Sequence, residues 1–219
     1  LQTFPQAVQV LLDPADCGPV CISLCQDIQG EIFDYPEDFF KEKIHNIRRP
    51  RPDDFQIKEA AEKIKKSKNP IIISGGGVFY SDAMEELSTF AVKHNIPVTQ
   101  TVMGYSSMKR DHSHFLGPIG GLGGKAANNF AKKTDLAIAI GTKLGDFTTG
   151  SWSNFENPNF SLVSINVARF DASKHMAQSI IGDAKVSLNE LSQALGDWKA
   201  SEEWHKKSRD ELKSWNEYV

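Results

Sequence analysis

The sequence predicts an α/β fold, a doubly wound parallel sheet of about six strands with helices on both faces. Three observations carry that expectation. Short apolar runs recur at residues 70–74, 136–140, 161–167 and 179–182. None alternates cleanly between apolar and polar, which is the pattern of strands buried on both faces. Stretches with helical apolar spacing separate the runs, as crossovers between parallel strands require.

Along the chain, residues 6–12 have helical spacing and Asp13-Pro14 closes them. Residues 18–24 read as a short strand, with Val20, Ile22 and Leu24 on one face and Cys21 on the other. One helix and one strand enclose no core, so residues 1–35 are expected to be the tail of a preceding domain. Residues 36–52 hold Pro36, Pro50 and Pro52 among many charges, the composition of a linker. The basic cluster Arg48, Arg49 and Arg51 is broken by those prolines and reads as solvated linker rather than a phosphate patch.

A central Rossmann-like domain is expected over residues 53–196. Asp53 offers an N-cap to a helix with Ile57, Ala60, Ala61 and Ile64 on one face. Residues 70–74 form a strand closed by Gly75, Gly76 and Gly77, and Ser81 reads as the cap of a helix carrying Ala83, Met84, Leu87, Phe90 and Ala91. Asn95-Ile96-Pro97 turns into a strand at 98–101. Residues 114–120 do not read as an apolar strand, whereas 125–133 read as a helix. After the later strands, Val186, Leu188, Leu191 and Leu195 mark a closing helix. Residues 197–219 form a charged helix bearing Trp198, Trp204, Leu212 and Trp215, which either packs on the body or leads toward another domain.

Composition excludes several function classes. With 25 basic and 28 acidic residues the net charge is −3, which draws neither nucleic acid nor an anionic membrane. No apolar run reaches the ~20 residues of a membrane span. Three cysteines form no closed disulfide framework and point to a reducing, cytoplasmic setting. There is no signal-peptide pattern, and the chain opens on Leu1, so it reads as an excised piece.

Ligands of such sheets bind beyond the carboxyl ends of the strands. The candidate cofactor-binding residues there are Gly75, Gly76, Gly77, Thr101, Gly141, Lys143, Asp146 and Asn166. For the three glycines, backbone approach to a phosphate and a tight turn are both open. Gly121-x-Gly123-x-x-Ala126 matches a dinucleotide pattern but lacks the strand that should precede it, and Ile119 and Ala126 spoil a P-loop. Cys17, Cys21 and Cys25 read as structural cysteines. Asp111-His112-Ser113-His114 lacks a third ligand at a recognised spacing and reads as a solvated loop. No catalytic or metal-ligating residue is expected in this chain, because neither a G-x-S-x-G elbow nor a carboxylate pair stands out.

A set of segments follows one unbroken order over residues 68–196. An apolar strand runs from Ile71 into Gly75-Gly76-Gly77, then come Ser81-x-Ala83-x-x-Glu86-Leu87 and Pro97-Val98-x-x-Thr101. Asp111-His112, a glycine-rich stretch and Ala127-Asn128 follow. Last, Thr134-Asp135-Leu136 leads to Gly141-Thr142-Lys143-Leu144-Gly145-Asp146. Together these resemble the central domain of the thiamine-diphosphate enzymes related to acetolactate synthase. Residues 26–37 and 165–175 narrow the resemblance to the trihydroxycyclohexane-dione hydrolases of myo-inositol degradation.

The resemblance implies a parent enzyme that uses thiamine diphosphate and magnesium to open a cyclic trihydroxy-dione by hydrolysis. Residues 1–35 would end its pyrimidine-binding domain and residues 197–219 would lead toward its diphosphate-binding domain. Those flanking domains are the implied partners, in a homodimer or homotetramer. The family's activating glutamate lies upstream and its Gly-Asp-Gly…Asn segment downstream; here Gly182-Asp183 is followed by Ala184. No cofactor is therefore expected on this chain, which should be inactive alone. Flavin-binding members carry arginines where Lys143 and Phe147 stand and aspartate at Asn166, so FAD is not expected. Alternative readings are a 2-keto acid decarboxylase or carboligase fragment (acetolactate synthase-like, or a malonic semialdehyde decarboxylase), a free-standing nucleotide-binding module, or an interaction domain using the tryptophan-bearing helix.

Overall fold

Continuous apolar runs can be buried only if both faces of the sheet are covered, and the structure shows that arrangement. The computed structural model describes all 219 residues and divides into two units, Leu1–Arg48 and Arg49–Val219. No helix in it is long and apolar enough to cross a membrane.

The first unit has one α-helix, α1 (Thr3–Leu12), ended at Asp13, whose Oδ1 accepts from the amides of Ala15 and Asp16 at 2.8 Å. Arg48 pairs with the other carboxylate oxygen at 3.0 Å. Residues 18–24 are not a strand, contrary to the alternation of Val20, Ile22 and Leu24. A strand needs a neighbour to take its amides and carbonyls, and this unit holds none. Only Ala7 is buried among its apolar residues, so no core forms. The three cysteines are free and exposed.

The second unit is built on a six-stranded, all-parallel sheet in the order β3-β2-β1-β4-β5-β6. Its strands are β1 (Pro70–Ser74), β2 (Val98–Gln100), β3 (Phe115–Pro118), β4 (Leu136–Ile140), β5 (Ser161–Asn166) and β6 (Gln178–Ile181). The chain runs outward from β1 through β2 to β3, then returns to β4 and runs outward the other way. The order therefore reverses between β1 and β4, the place where connections diverge and ligands sit in such folds.

Successive residues of β1 point to opposite layers. Ile72 joins a cluster with Ile138, Val163 and Ile180 beneath α2 (Asp54–Lys66) and α4 (Met84–His94), which share that face with α8 (Ala184–Leu195). Ile71 and Ile73 join Ala137, Ala139 and Leu162 beneath α5 (Lys125–Ala131) and α9 (Glu202–Tyr218). Sheet alanines at 137 and 139 let that second helical layer approach closely. The helices start where side-chain oxygens replace missing carbonyl partners: Asp53 caps α2, Asp183 caps α8 and Ser201 caps α9.

Three readings of the sequence are corrected here. Ser81 does not cap α4. The glycine run itself opens a one-turn helix, α3 (Gly76–Tyr80), which Ser81 closes, and α4 begins after Ala83. Residues 115–118 are a strand after all. Gly117 and Pro118 break its apolar pattern, yet an edge strand tolerates proline because one side needs no ladder donor. Gly121-x-Gly123-x-x-Ala126 therefore does stand between a strand and a helix. Its amides are nonetheless taken within the fold: Gly121 donates to Phe147 O at 2.7 Å, Gly123 to Gly120 O and Gly124 to Pro118 O, both at 2.8 Å. Those three glycine amides are therefore not free for a dinucleotide phosphate.

The C-terminal helix packs on the body of the second unit. Trp204 lies 4.0 Å from Phe130, ring to ring, and its Nε1 donates to Pro70 O at 2.8 Å.

Candidate functional site

At the reversal point the loops after β1 and β4 meet without side chains between them. Gly141 adopts φ +59°, and a Cβ placed on it would stand 2.5 Å from Gly77 Cα. One on Gly75 would stand 2.4 Å from Gly141 O. Both distances are closer than carbon atoms approach one another or oxygen, so the approach demands glycine on both sides. Hydrogen bonds then lock the contact: Gly75 N–H donates to Ile140 O at 2.8 Å, Gly77 N–H to Gly141 O at 2.9 Å and Gly141 N–H to Ile165 O at 2.8 Å. The tight-turn reading therefore prevails at Gly75 and Gly77, whose amides cannot also serve a phosphate. Gly76 packs against Met103, with its prospective Cβ 3.1 Å from Met103 O.

Thr101 and Asn166 are likewise occupied within the protein. The buried Thr101 donates its amide to Ser74 O at 2.9 Å and accepts from Gly104 N–H at Oγ1 at 3.0 Å. That clasp seats Gly104 where a Cβ would come within 2.2 Å of Ser74 O. Asn166 donates from Nδ2 to Thr142 O at 3.3 Å and accepts from Ala168 N–H at 3.0 Å, joining the β5 end to the loop after β4. Lys143 and Asp146 are exposed and make no salt bridge. The eight candidate residues thus separate into six that build the crevice wall and two that face solvent.

One further member of that wall was not assigned a role from sequence. The Asn128 side chain accepts from Gly120 N–H at 2.8 Å and donates to Gly120 O at 3.0 Å. Gly120 has φ +104°, and a Cβ there would lie 2.0 Å from Phe147 O. Asparagine eight residues beyond a glycine in a strand-to-helix loop was the only signal. Around this wall the large apolar side chains stand exposed on the connections leaving the strands: Phe79, Tyr80, Met103, Tyr105, Phe147 and Phe170. A soluble surface seldom gathers so many without a partner or ligand.

The histidine segment is not simply a solvated loop. His112 pairs with Ser88 Oγ at 2.9 Å, and His114 is buried against Asn95 Oδ1 at 3.2 Å, stacked 4.1 Å from the His205 ring. Burial, then the neighbouring His205, His112 and Arg209 charges, hold the His114 pKa down to about 4. No three His, Cys, Asp or Glu side chains converge as metal ligands. Chemically the wall is a rigid, uncharged platform with an apolar rim, and no nucleophile–base pair appears in it.

The comparisons with known proteins decide the family. A model described as "thiamine pyrophosphate enzyme, central domain" matches residues 57–191. The chain belongs to that family. It is 49% identical over 189 residues to a 3D-(3,5/4)-trihydroxycyclohexane-1,2-dione hydrolase of Clostridium perfringens (strain 13 / Type A), covering 86% of this chain and 30% of that protein. The protein of that name from Clostridium botulinum (strain Alaska E43 / Type E3) is 46% identical over 207 residues, 94% of this chain and 32% of the relative. One from Bacillus thuringiensis (strain Al Hakam) is 45% identical over 183 residues, 84% of this chain and 28% of the relative. The chain thus spans less than a third of the length of these curated relatives.

Gly182-Asp183 does not fit a site for thiamine diphosphate with a divalent cation. Such a site needs oxygen ligands free to meet the cation. The nearest sequence match, Gly182-Asp183, offers none. Asp183 is buried, caps α8 by accepting from Lys185 and Val186 amides, and pairs with Arg49 at 3.1 Å.

Proposed function

We propose that this chain is the central domain of a thiamine-diphosphate- and magnesium-dependent hydrolase that opens a cyclic trihydroxy-dione, and that it supports the catalytic parts of its parent without catalysing alone. The observation that carries the scaffold role is the closed crevice: five of the eight residues placed to meet a ligand are spent on joining strand ends. The names of relatives at 45% to 49% identity across most of the chain support the substrate class. In the parent, residues 1–35 end the preceding domain, 36–52 link it to this one, and 197–219 lead on to the next. The apolar rim then lies against flanking domains or a second copy, in a cytoplasmic homodimer or homotetramer.

Hydrolysis between two carbonyl carbons breaks the bond joining them, the hydroxyl of water leaving a carboxylate on one carbon and its hydrogen an aldehyde on the other. The contribution of this chain is geometric: glycine contacts at the β1–β4 junction and the Asn128 and Asn166 clamps keep the rim in one shape. Flavin has no grip here. Asn166 has no free carboxylate for a ribose, Phe147 stands where a guanidinium would, and Lys143 remains the single cation of the loop.

The test compares the full-length parent with the 219-residue chain on the cyclic dione, with and without thiamine diphosphate and magnesium. Turnover by the parent alone, dependent on both additions, is expected. Turnover by the short chain would sink the scaffold role, and a parent acting only on 2-keto acids would sink the substrate class. FAD titrated against the short chain should show no binding in the micromolar range.

A further inference from the structure

The free edge of the sheet holds a cavity of about 370 Å³, within the range of small-ligand pockets. Gln100, at the carboxyl end of β2, is one of its lining residues. Gln100 is only 5% exposed, and its Oε1 is buried without a hydrogen-bond partner. A buried amide oxygen left unpaired costs free energy, and such groups in folded proteins almost always find a partner. Rotation about the terminal torsion is soft, so the amide can offer either its oxygen or its nitrogen to the cavity.

The other walls narrow the chemistry of that missing partner. Lys109 and Arg110 line the cavity, are exposed, and form no salt bridge; the neighbouring Asp111 pairs with neither. Met108, Phe115 and Pro118 supply an apolar surface opposite. The loop carrying the cations is anchored rather than loose, because the buried Ser107 hydroxyl bonds to Ser74 Oγ at 2.6 Å. Two unpaired cations call for an anion, the amide oxygen for a hydroxyl donor, and the apolar wall for a carbon skeleton. A phosphate ion lacks the carbon skeleton that the third demand asks for.

From these three demands the geometry points to a binding site for a small hydroxylated carboxylate at the β2–β3 edge, which shares Tyr105 with the rim of the crevice between β1 and β4. The site takes the carboxylate at Lys109 and Arg110, a hydroxyl at Gln100, and the carbon chain against Met108 and Phe115.

Calorimetric titration of the 219-residue chain with gluconate tests this, with hexanoate, sorbitol and inorganic phosphate as comparisons. Gluconate should bind about tenfold or more tightly than each of the three. The Lys109→Ala/Arg110→Ala double variant changes only exposed side chains and should weaken gluconate about tenfold. Gln100→Leu, checked for an unchanged far-ultraviolet spectrum, should erase the preference for gluconate over hexanoate. The proposal falls if gluconate does not bind, if the double variant binds it as well as the parent sequence does, or if phosphate binds as tightly as gluconate.

Discussion

Replacing Gly141 with alanine should be among the costliest single-methyl additions in this protein, and its cost can be divided beforehand. Two separate penalties fall on that methyl. The residue sits at φ +59°, where an L-residue loses about 1–2 kcal/mol, partly offset by the smaller entropy of the unfolded chain. The new Cβ also meets Gly77 Cα at 2.5 Å, and backbone on both sides prevents either from swinging away. Overpacking of that kind costs about 1–3 kcal/mol. Two companion substitutions isolate the terms. At Gly150, φ is +58° but the nearest neighbour is the movable Ser153 Oγ at 3.0 Å, so Gly150→Ala should cost about 1 kcal/mol. At Gly77 the φ is not positive while the Cβ would stand 2.6 Å from Gly141 Cα, so Gly77→Ala should cost about 1–3 kcal/mol. Gly141→Ala should therefore lose about 2–4 kcal/mol, close to the sum of the two. Urea unfolding of each variant, followed by tryptophan fluorescence, gives the three values from the midpoints at constant slope. A Gly141→Ala loss no greater than that of Gly150→Ala would refute the close loop contact, and with it the closed crevice.

Further outcomes follow from the packing. Trp204→Phe keeps an aromatic ring against Phe130 but removes the donor to Pro70 O, so it should cost about 1–2 kcal/mol in urea unfolding; a neutral result would remove that hydrogen bond from the account. His114 is held neutral in the fold, with its pKa down from 6.5 to about 4. The folded state then binds fewer protons than the unfolded one in that window. The His114 contribution to stability should be full above pH 6.5 and fall by up to about 1.4 kcal/mol per pH unit as pH drops toward 4. His114→Gln removes that share of the slope and leaves the share of His94 and His112, which burial also holds below their ordinary pKa. A direct imidazole titration near 6.5 would contradict the burial. Asp183→Ala removes a helix cap and the partner of Arg49, and should cost about 2 kcal/mol, whereas Asp183→Asn keeps the cap and recovers about half. If the full-length parent requires magnesium, as proposed, Asp183→Asn should leave that requirement unchanged, because the carboxylate serves the fold; a raised requirement would make it a ligand.

Local chemistry was enough to announce most of this architecture. The largely apolar runs at β1, β4 and β5 could not lie at a surface, and the stripes of α2 and α8 left one face each to bury, so a layered α/β sheet followed from burial alone. Asp53 likewise marked its helix start by a rule that acts over three residues. Where the reading failed, the deciding partner lay far along the chain. Residues 18–24 alternate like a strand but have no neighbour to pair with. Residues 115–118 look unlike a strand and become one because β2 lies beside them. Ser81 closes a helix that the glycine contact with Gly141 creates. For the site, sequence located the strand ends, since that depends on order alone. It had no means of showing that Gly75, Gly77, Thr101 and Asn166 are already bonded across loops, or that Gln100 is left without a partner. Hydrogen bonds between residues dozens of positions apart are settled only when the sheet brings their strand ends within about 3 Å, and those bonds separate a closed platform from an open cradle.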